Sequence, residues 1–96
     1  MNVAVIGASG YTGLELIKMI IKHPTFELVY VATSEGNTKL SELHPSLLGV
    51  YECDVAKADA AEVAKTCELA FLALPHKTAM GFVKELMALN VKVVDL

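Results

Sequence analysis

The hydrophobic residues of the first third of the chain change from strand-like to helix-like spacing and back. Short apolar runs rich in β-branched and aromatic residues predict buried strands at residues 2–7 and 26–34. Between them, Leu14, Ile17 and Ile21 recur at helical spacing, which predicts a helix over residues 10–23. Pro24 stops this helix.

The rest of the chain continues the alternation after a polar interruption. Residues 35–49 are rich in loop-forming residues and predict a long loop with a helical turn over residues 40–43. A weaker strand follows at residues 51–58, and Asp59 with Glu62 predicts the capped start of a short helix. Residues 68–75 form a strongly apolar strand. A helix ending near Asn90 and a last strand at residues 91–96 complete the pattern.

Strands that alternate with helices pair in parallel through right-handed crossovers. The sequence therefore predicts an α/β fold, a Rossmann-type doubly wound parallel sheet. We expect about five strands in the order 3-2-1-4-5. The length of 96 residues favours a single domain over residues 1–96.

Three glycines follow the first strand in the stretch "VIGASGYTG". Gly7 permits a tight turn, Gly10 lets a pyrophosphate approach the backbone, and Gly13 lets the helix pack against the strand. The N–H groups of the first helical turn, with the hydroxyls of Ser9 and Thr12, are candidate phosphate donors. The alternative is that the glycines serve only close packing. The surrounding strand–helix–strand context favours a dinucleotide site.

The end of the second strand bears on which dinucleotide binds. NAD-selective sites place a carboxylate there, whereas this chain has Thr33 and Ser34, which favours NADP. Glu35 lies one position further and keeps NAD as the less favoured alternative. The chain has no arginine to hold a 2′-phosphate, and Lys39 is either a substitute counter-charge or a solvated loop residue.

The "LALPH" segment ends the fourth predicted strand, where ligands of such sheets bind. We therefore expect Leu74 and Pro75 to border the nicotinamide side of the cofactor. His76 is a candidate for positioning rather than acid–base work, because no orienting partner is evident. Lys77 near a helix start opposes the helix dipole unless an anion lies nearby.

Composition narrows the classes of function. Hydrophobic residues make up 54% of the chain and the mean hydropathy is +0.50, but no uncharged apolar run is long enough to span a membrane. The excess favours a sheet covered on both faces, together with apolar surface that faces a missing domain or partner. A net charge of −3, with lysine as the only basic residue type counted, argues against nucleic-acid binding.

The two cysteines and the amino terminus bear on the cellular compartment of the protein. Cys53 and Cys67 lack the spacing of a metal site, so we expect two buried or partly buried thiols in a reducing cytosol. No signal peptide is evident after Met1, and we expect a cytoplasmic protein.

Several segments together resemble the N-terminal part of N-acetyl-gamma-glutamyl-phosphate reductases of arginine biosynthesis. They are "GASGYTGLEL", which includes Tyr11, and "ATS", "KLSELHPSLLG", "FLALPH" and "VVDL". The resemblance covers essentially the whole chain. It implies reduction of an acyl phosphate to a semialdehyde by NADPH, through a cysteine thioester and with a histidine assisting. Lys77 departs from the glycine common in the family, which puts the contact of this loop in doubt.

The resemblance also implies that the catalytic cysteine lies in a second domain, beyond Leu96. Neither Cys53 nor Cys67 matches its motif, so no catalytic residue is assigned and this chain alone is expected to be inactive. The expected partners are that catalytic domain, a small-molecule substrate and further copies in a homo-oligomer. The alternatives are a free-standing NADP-sensing module and the related aspartate-semialdehyde dehydrogenase branch, which the downstream sequence would distinguish.

Overall fold

A six-stranded sheet forms the middle of the molecule in the computed structural model, which describes residues 1–96. The strands are β1 (Asn2–Ile6), β2 (Glu27–Thr33), β3 (Thr38–Lys39), β4 (Asp54–Lys57), β5 (Leu69–Leu72) and β6 (Lys92–Asp95). The helices are α1 (Tyr11–Ile21), α2 (Leu40–Leu43), α3 (Ala60–Thr66) and α4 (His76–Ala88), with a 3-10 turn at Pro45–Leu47.

The strand order is β3-β4-β2-β1-β5-β6. The pairs β4–β2, β2–β1, β1–β5 and β5–β6 are parallel, so the predicted order 3-2-1-4-5 and the α/β fold class are confirmed. The sheet has one strand more than predicted. This strand is β3, which pairs antiparallel with β4 and places Thr38 opposite Val55. This two-residue strand lies in the segment that was expected to be a loop, and it is too short to carry an alternating pattern.

Both faces of the sheet are buried, which explains why β1 reads as a continuous apolar run. Val3 and Val5 point into one hydrophobic cluster, whereas Ala4 and Ile6 point into the other. The helices that cover these faces contribute Ile17 and Ile20 from α1 to the first cluster, and Val63 from α3 and Leu86 from α4 to the second.

Two of the predicted helix boundaries have visible causes. The Asp59 carboxylate accepts a hydrogen bond of 3.0 Å from the Ala61 N–H and so caps α3. Glu62 pairs with Lys65 at 3.0 Å, so the reciprocal half of a capping box is absent. Asn90, with a positive φ of 64°, follows the end of α4 as expected.

Apolar surface is exposed beside the last strand. β6 pairs with β5 alone, and it is therefore an edge of the sheet. Met87 is 64% exposed, Val94 38% and Leu96 57%. A groove of about 560 Å³ runs between α4 and β6 and is lined by Val83 and Val91 among other residues. No helix has the length and apolar character that a membrane crossing would require.

Candidate functional site

Three loops meet at the carboxyl edge of the sheet. Ile6, near the end of β1, pairs with Ala32 of β2 on one side and Leu72 of β5 on the other. The segments that follow these strands therefore emerge side by side. They are the glycine-rich segment 7–13, the turn 33–38 and the segment 73–76, which include every binding residue predicted from the sequence.

Gly7 makes the sharp turn out of β1. Its φ is +90°, and a Cβ there would overlap the carbonyl oxygen of Ala73 and lie 2.9 Å from Cδ2 of Leu74. Its N–H donates to the Ala32 carbonyl oxygen at 2.9 Å. Only glycine meets both the left-handed conformation and the close approach of the neighbouring loop.

The space available for a side chain differs among the three glycines of the turn. A Cβ at residue 13 would lie 2.7 Å from the Gly7 carbonyl oxygen, so Gly13 lets α1 pack directly onto the turn. A Cβ at Gly10 would meet nothing within 4 Å, because the backbone there faces open space. The tight turn predicted at Gly7 and the close packing predicted at Gly13 are therefore seen in the backbone, and the space beside Gly10 is open.

Five consecutive backbone N–H groups, from Ser9 to Gly13, make no hydrogen bond within the protein. The first N–H of the helix that is satisfied is that of Leu14, which donates to the Gly10 carbonyl oxygen at 3.0 Å. No acidic side chain lies in the first turn of α1. The free donors and the positive end of the helix dipole together favour a bound anion.

Two pockets flank this turn and share Ser9 and Leu43. One, of about 340 Å³, is lined also by Gly10, Tyr11 and His44. The other, of about 530 Å³, continues towards the end of β2, where its lining includes residues 33–38. The arrangement suits an elongated ligand that crosses the glycine-rich turn.

The two hydroxyls at the end of β2 have different environments. Thr33 is 7% exposed, and its Oγ1 accepts a hydrogen bond of 2.9 Å from the Gly36 N–H, which braces the turn. Ser34 and Glu35 are exposed and line the larger pocket. Lys39 does not line that pocket, and it lies beside Glu52, Cys53 and Asp54.

The "LALPH" segment supports the glycine-rich turn from the other side. Leu74 packs against Gly7, and Pro75 precedes the first residue of α4. His76 and Lys77 are exposed in the first helical turn, which contains no acidic residue. The segment thus lies beside the glycine-rich turn, and the His76 side chain has no hydrogen-bonding partner that would orient it as a base.

His44 is a residue of this site that the sequence analysis did not single out. Its side chain is buried, and its Nε2 lies within hydrogen-bonding distance of the Ala8 carbonyl oxygen. The two residues are 36 positions apart in a region expected to be loop. No periodic pattern points to such a contact, and the "HP" pair of residues 44–45 carries a signal only through the family resemblance.

Both cysteines lie away from the glycine-rich turn. Cys53 precedes β4 and Cys67 precedes β5, so both lie at the amino ends of their strands, whereas the glycine-rich turn lies at the carboxyl edge of the sheet. Burial raises the pKa of each thiol, and for Cys53 the charges of Asp54 and Glu52 raise the pKa further. Both cysteines are free and buried or half-buried, as predicted. A raised pKa disfavours the thiolate that nucleophilic catalysis needs.

A protein-family comparison matches residues 2–96 to the model described as "Semialdehyde dehydrogenase, NAD binding domain". The chain belongs to this family. Its members are described by nicotinamide dinucleotide binding, which agrees with the free N–H groups and the open backbone at Gly10.

Relatives within the semialdehyde dehydrogenase family carry the name that the sequence resemblance suggested. The chain is 62% identical over 96 residues to an N-acetyl-gamma-glutamyl-phosphate reductase of Sulfurimonas denitrificans, matching 100% of this chain and 29% of that protein. It is 57% identical over 94 residues to the enzyme of the same name from Wolinella succinogenes, matching 98% and 28%. The chain thus spans less than a third of the length of these relatives.

Solved structures agree on the fold. Aspartate semialdehyde dehydrogenase with NADP from Candida albicans superimposes with a TM-score of 0.83 at 20% identity, covering 98% of this chain and 28% of that one. GenD2 of gentamicin A biosynthesis, in complex with NAD, superimposes with a TM-score of 0.75 at 20% identity, covering 99% and 26%. The same fold accompanies both dinucleotides in these proteins.

Proposed function

We propose that this chain is the NADP(H)-binding domain, residues 1–96, of an N-acetyl-gamma-glutamyl-phosphate reductase. The full-length protein would reduce an acyl phosphate to the semialdehyde in arginine biosynthesis. The observation that carries the proposal is the run of five free N–H groups from Ser9 to Gly13, at a sheet edge that two pockets flank. The relatives at 62% and 57% identity supply the name of the reaction.

The pyrophosphate would lie over Gly10, where the backbone is open, and accept hydrogen bonds from the N–H groups of Ser9 to Gly13. The side chains of Ser9 and Thr12 would add donors. Tyr11 is 89% exposed beside the smaller pocket and would cover the phosphates or their neighbours. No side chain needs to leave the space above Gly10 for the anion to enter.

The larger pocket would take the adenosine ribose. Its wall has the Ser34 hydroxyl where NAD-selective sites have a carboxylate, which supports NADP over NAD. Thr33 would act by holding the turn rather than by touching the ribose, because its Oγ1 already accepts the Gly36 N–H. Glu35 lines the same pocket, and its carboxylate is the group that would favour NAD by holding the ribose 2′-hydroxyl.

Leu74 and Pro75 would border the nicotinamide end, because they follow β5 next to the glycine-rich turn. His76 would position the ligand from the first turn of α4. When bound, NADPH supplies the hydride of the reduction. The residues of this chain bind and orient it, and they shield one side of it from water.

The nucleophile of the reaction would come from outside this chain. Cys53 and Cys67 lie away from the site with raised pKa values, and the chain spans 29% of the length of a reductase relative. We therefore propose a further catalytic domain as partner, a homo-oligomeric full-length enzyme in the cytoplasm, and no turnover by residues 1–96 alone.

Calorimetric titration tests the proposal. The 96-residue chain should bind NADPH saturably and more tightly than NADH, while showing no reduction of an acyl phosphate. The full-length enzyme should reduce N-acetyl-gamma-glutamyl phosphate with NADPH. Failure of both forms to bind either dinucleotide would refute the cofactor role. Turnover by the isolated chain would refute the need for a second domain.

A further inference from the structure

His44 joins the loop after β2 to the glycine-rich turn. Its backbone is fixed at both ends, because its N–H donates to the Leu40 carbonyl oxygen at 2.9 Å and its own carbonyl oxygen accepts from the Leu47 N–H at 2.9 Å. Leu40 and Leu47 are buried in the same hydrophobic cluster as Ala8. The imidazole is therefore held against the turn by the core rather than by solvent-exposed contacts.

The contact with Ala8 defines the protonation of the ring. A carbonyl oxygen only accepts hydrogen bonds, so the Nε2 of His44 must carry the hydrogen. His44 also lines the smaller pocket together with Gly10 and Tyr11. It thus lies beside the backbone that would face the pyrophosphate.

The orientation of one peptide group follows from this bond. In a trans peptide the carbonyl and the N–H point in opposite directions. The Ala8 carbonyl points inward to His44, so the N–H of Ser9, which belongs to the same peptide, points away from the ring. The Ser9 N–H makes no hydrogen bond within the protein, and it is the first of the five free donors.

We propose that His44 is a positioning residue for the phosphate site: its Nε2–H holds the Ala8 carbonyl inward and thereby presents the Ser9 N–H to the pyrophosphate. This role rests on the proposed dinucleotide-binding function and adds a residue outside the glycine motif. The Ala8 N–H also donates to the Ala32 carbonyl oxygen at 3.1 Å, so the start of this segment stays anchored without His44. Loss of the donor removes the hydrogen bond that orients the Ala8 carbonyl, and the Ser9 N–H is then less well prearranged for the ligand.

Three variants separate positioning from general support of the fold. His44→Phe keeps an aromatic ring without a donor, and His44→Gln keeps an N–H near the place of Nε2. His23→Phe is the matched control, because His23 is an exposed histidine remote from the site. NADPH is compared with 2′-AMP, a probe that carries the ribose phosphate but no pyrophosphate. Nitrogen NMR reads the His44 tautomer and the Ser9 amide signal.

We expect His44→Phe to bind NADPH about tenfold more weakly, the worth of about one hydrogen bond, while its affinity for 2′-AMP stays within about twofold. His44→Gln and His23→Phe should bind NADPH like the wild type. The wild-type ring should be protonated at Nε2, and the Ser9 amide signal should shift in His44→Phe. If His44→Phe does not fold, the NADPH affinity of His44→Gln and the tautomer of the wild-type ring test the role instead.

The role is overturned if His44→Phe binds NADPH like the wild type, if it loses affinity for NADPH and 2′-AMP equally, or if the wild-type ring carries its hydrogen on Nδ1 alone. A wild-type chain that binds neither NADPH nor NADH would remove the proposed function and the positioning role with it. If the ring of that chain still carries its hydrogen on Nε2, the hydrogen bond to Ala8 exists although no dinucleotide binds. Failure of the positioning role can therefore be told apart from failure of the proposed function.

Discussion

The backbone of Gly7 runs directly against the carbonyl oxygen of Ala73, leaving no room for a Cβ at residue 7. The two residues follow β1 and β5, which are neighbours in the sheet. This contact fixes the glycine-rich turn against the segment that leads to Leu74 and Pro75. The phosphate end and the nicotinamide end of the proposed site are therefore set by one packing interaction.

Alanine at Gly7 should mainly reduce stability, whereas alanine at Gly10 should mainly reduce the affinity for NADPH. Gly7→Ala should lower the free energy of unfolding by about 3 kcal/mol, because it combines a strained positive φ with backbone overlap. Gly10→Ala should lower the free energy of unfolding by no more than about 1 kcal/mol: its φ of −88° suits alanine and nothing lies within 4 Å, so the cost is only that of a poorer N-cap for α1. It should nevertheless weaken NADPH binding at least about tenfold, because the methyl group takes the place of a phosphate.

Urea denaturation and calorimetric titration measure these two effects. Gly81→Ala is the control, because Gly81 is exposed within α4 and alanine there should stabilise the chain by about 0.5–1 kcal/mol. A Gly7→Ala variant as stable as the wild type would contradict the tight-turn role. Unchanged NADPH affinity in Gly10→Ala would contradict the placement of the pyrophosphate.

A carboxylate at residue 34 should reverse the cofactor preference. Ser34→Asp should weaken NADP binding by about tenfold or more, because two negative charges would meet in the pocket, while NAD binding stays equal or improves. Ser46→Asp makes the same change of charge at an exposed residue of the 3-10 turn and should leave both affinities unaltered. Equal losses for NADP and NAD in Ser34→Asp would place the 2′-phosphate elsewhere.

The chain should lose stability in alkali. Burial raises the pKa of the Cys53 and Cys67 thiols and of the Tyr30 and Tyr51 hydroxyls above the ordinary values of these groups. The folded state thus holds these protons more tightly than the unfolded state does. Their contribution is fully present below the ordinary pKa values and declines as the pH rises through the raised ones.

Urea denaturation at a series of pH values checks this decline, which should begin above about pH 9 and be shallower in Tyr51→Phe. That variant also loses the 2.7 Å hydrogen bond from the tyrosine hydroxyl to the Leu28 carbonyl oxygen, so it should be less stable at neutral pH by about 1 kcal/mol. A wild-type stability that stays constant or rises from neutral pH to pH 11 would argue against this account.

The apolar edge beside β6 should promote self-association at high concentration. β6 has an unpaired side, and Val94, Met87 and Leu96 are exposed near it. Val94→Lys should lower the weight-average mass in sedimentation equilibrium, because a charge on an edge strand opposes pairing. Leu48→Lys, at a loop residue that is 67% exposed, is the control. A wild-type chain that stays monomeric at millimolar concentration would show that this surface does not need to be covered.

The parts of the molecule that follow a local rule were predictable. The helix α1 and strands β1, β2 and β5 were set by apolar periodicity, and the glycine-rich turn by its place between a strand and a helix. The strand β3 was missed because two residues have no period. The contact between His44 and Ala8 was missed because it depends on where a loop of irregular structure folds back on the sheet.

Thr33 shows a different limit of sequence reasoning. Its position at the end of β2 was predicted correctly, but its side chain holds the Gly36 N–H instead of facing the pocket freely. A hydroxyl in a turn is as suited to bracing the local backbone as to binding a ligand, and the two roles have the same sequence pattern. Only the conformation of residues 33–36 separates Thr33 from Ser34.

The position of β1 between β2 and β5 has a consequence for synthesis on the ribosome. Val3 pairs with both Leu28 and Leu69, so the first strand to be made must wait for a partner that emerges 66 residues later. Until then one edge of β1 remains unpaired in the nascent chain. The glycine-rich turn is translated early, but Ala73 and Leu74, which pack against Gly7, emerge only after β5 has been made.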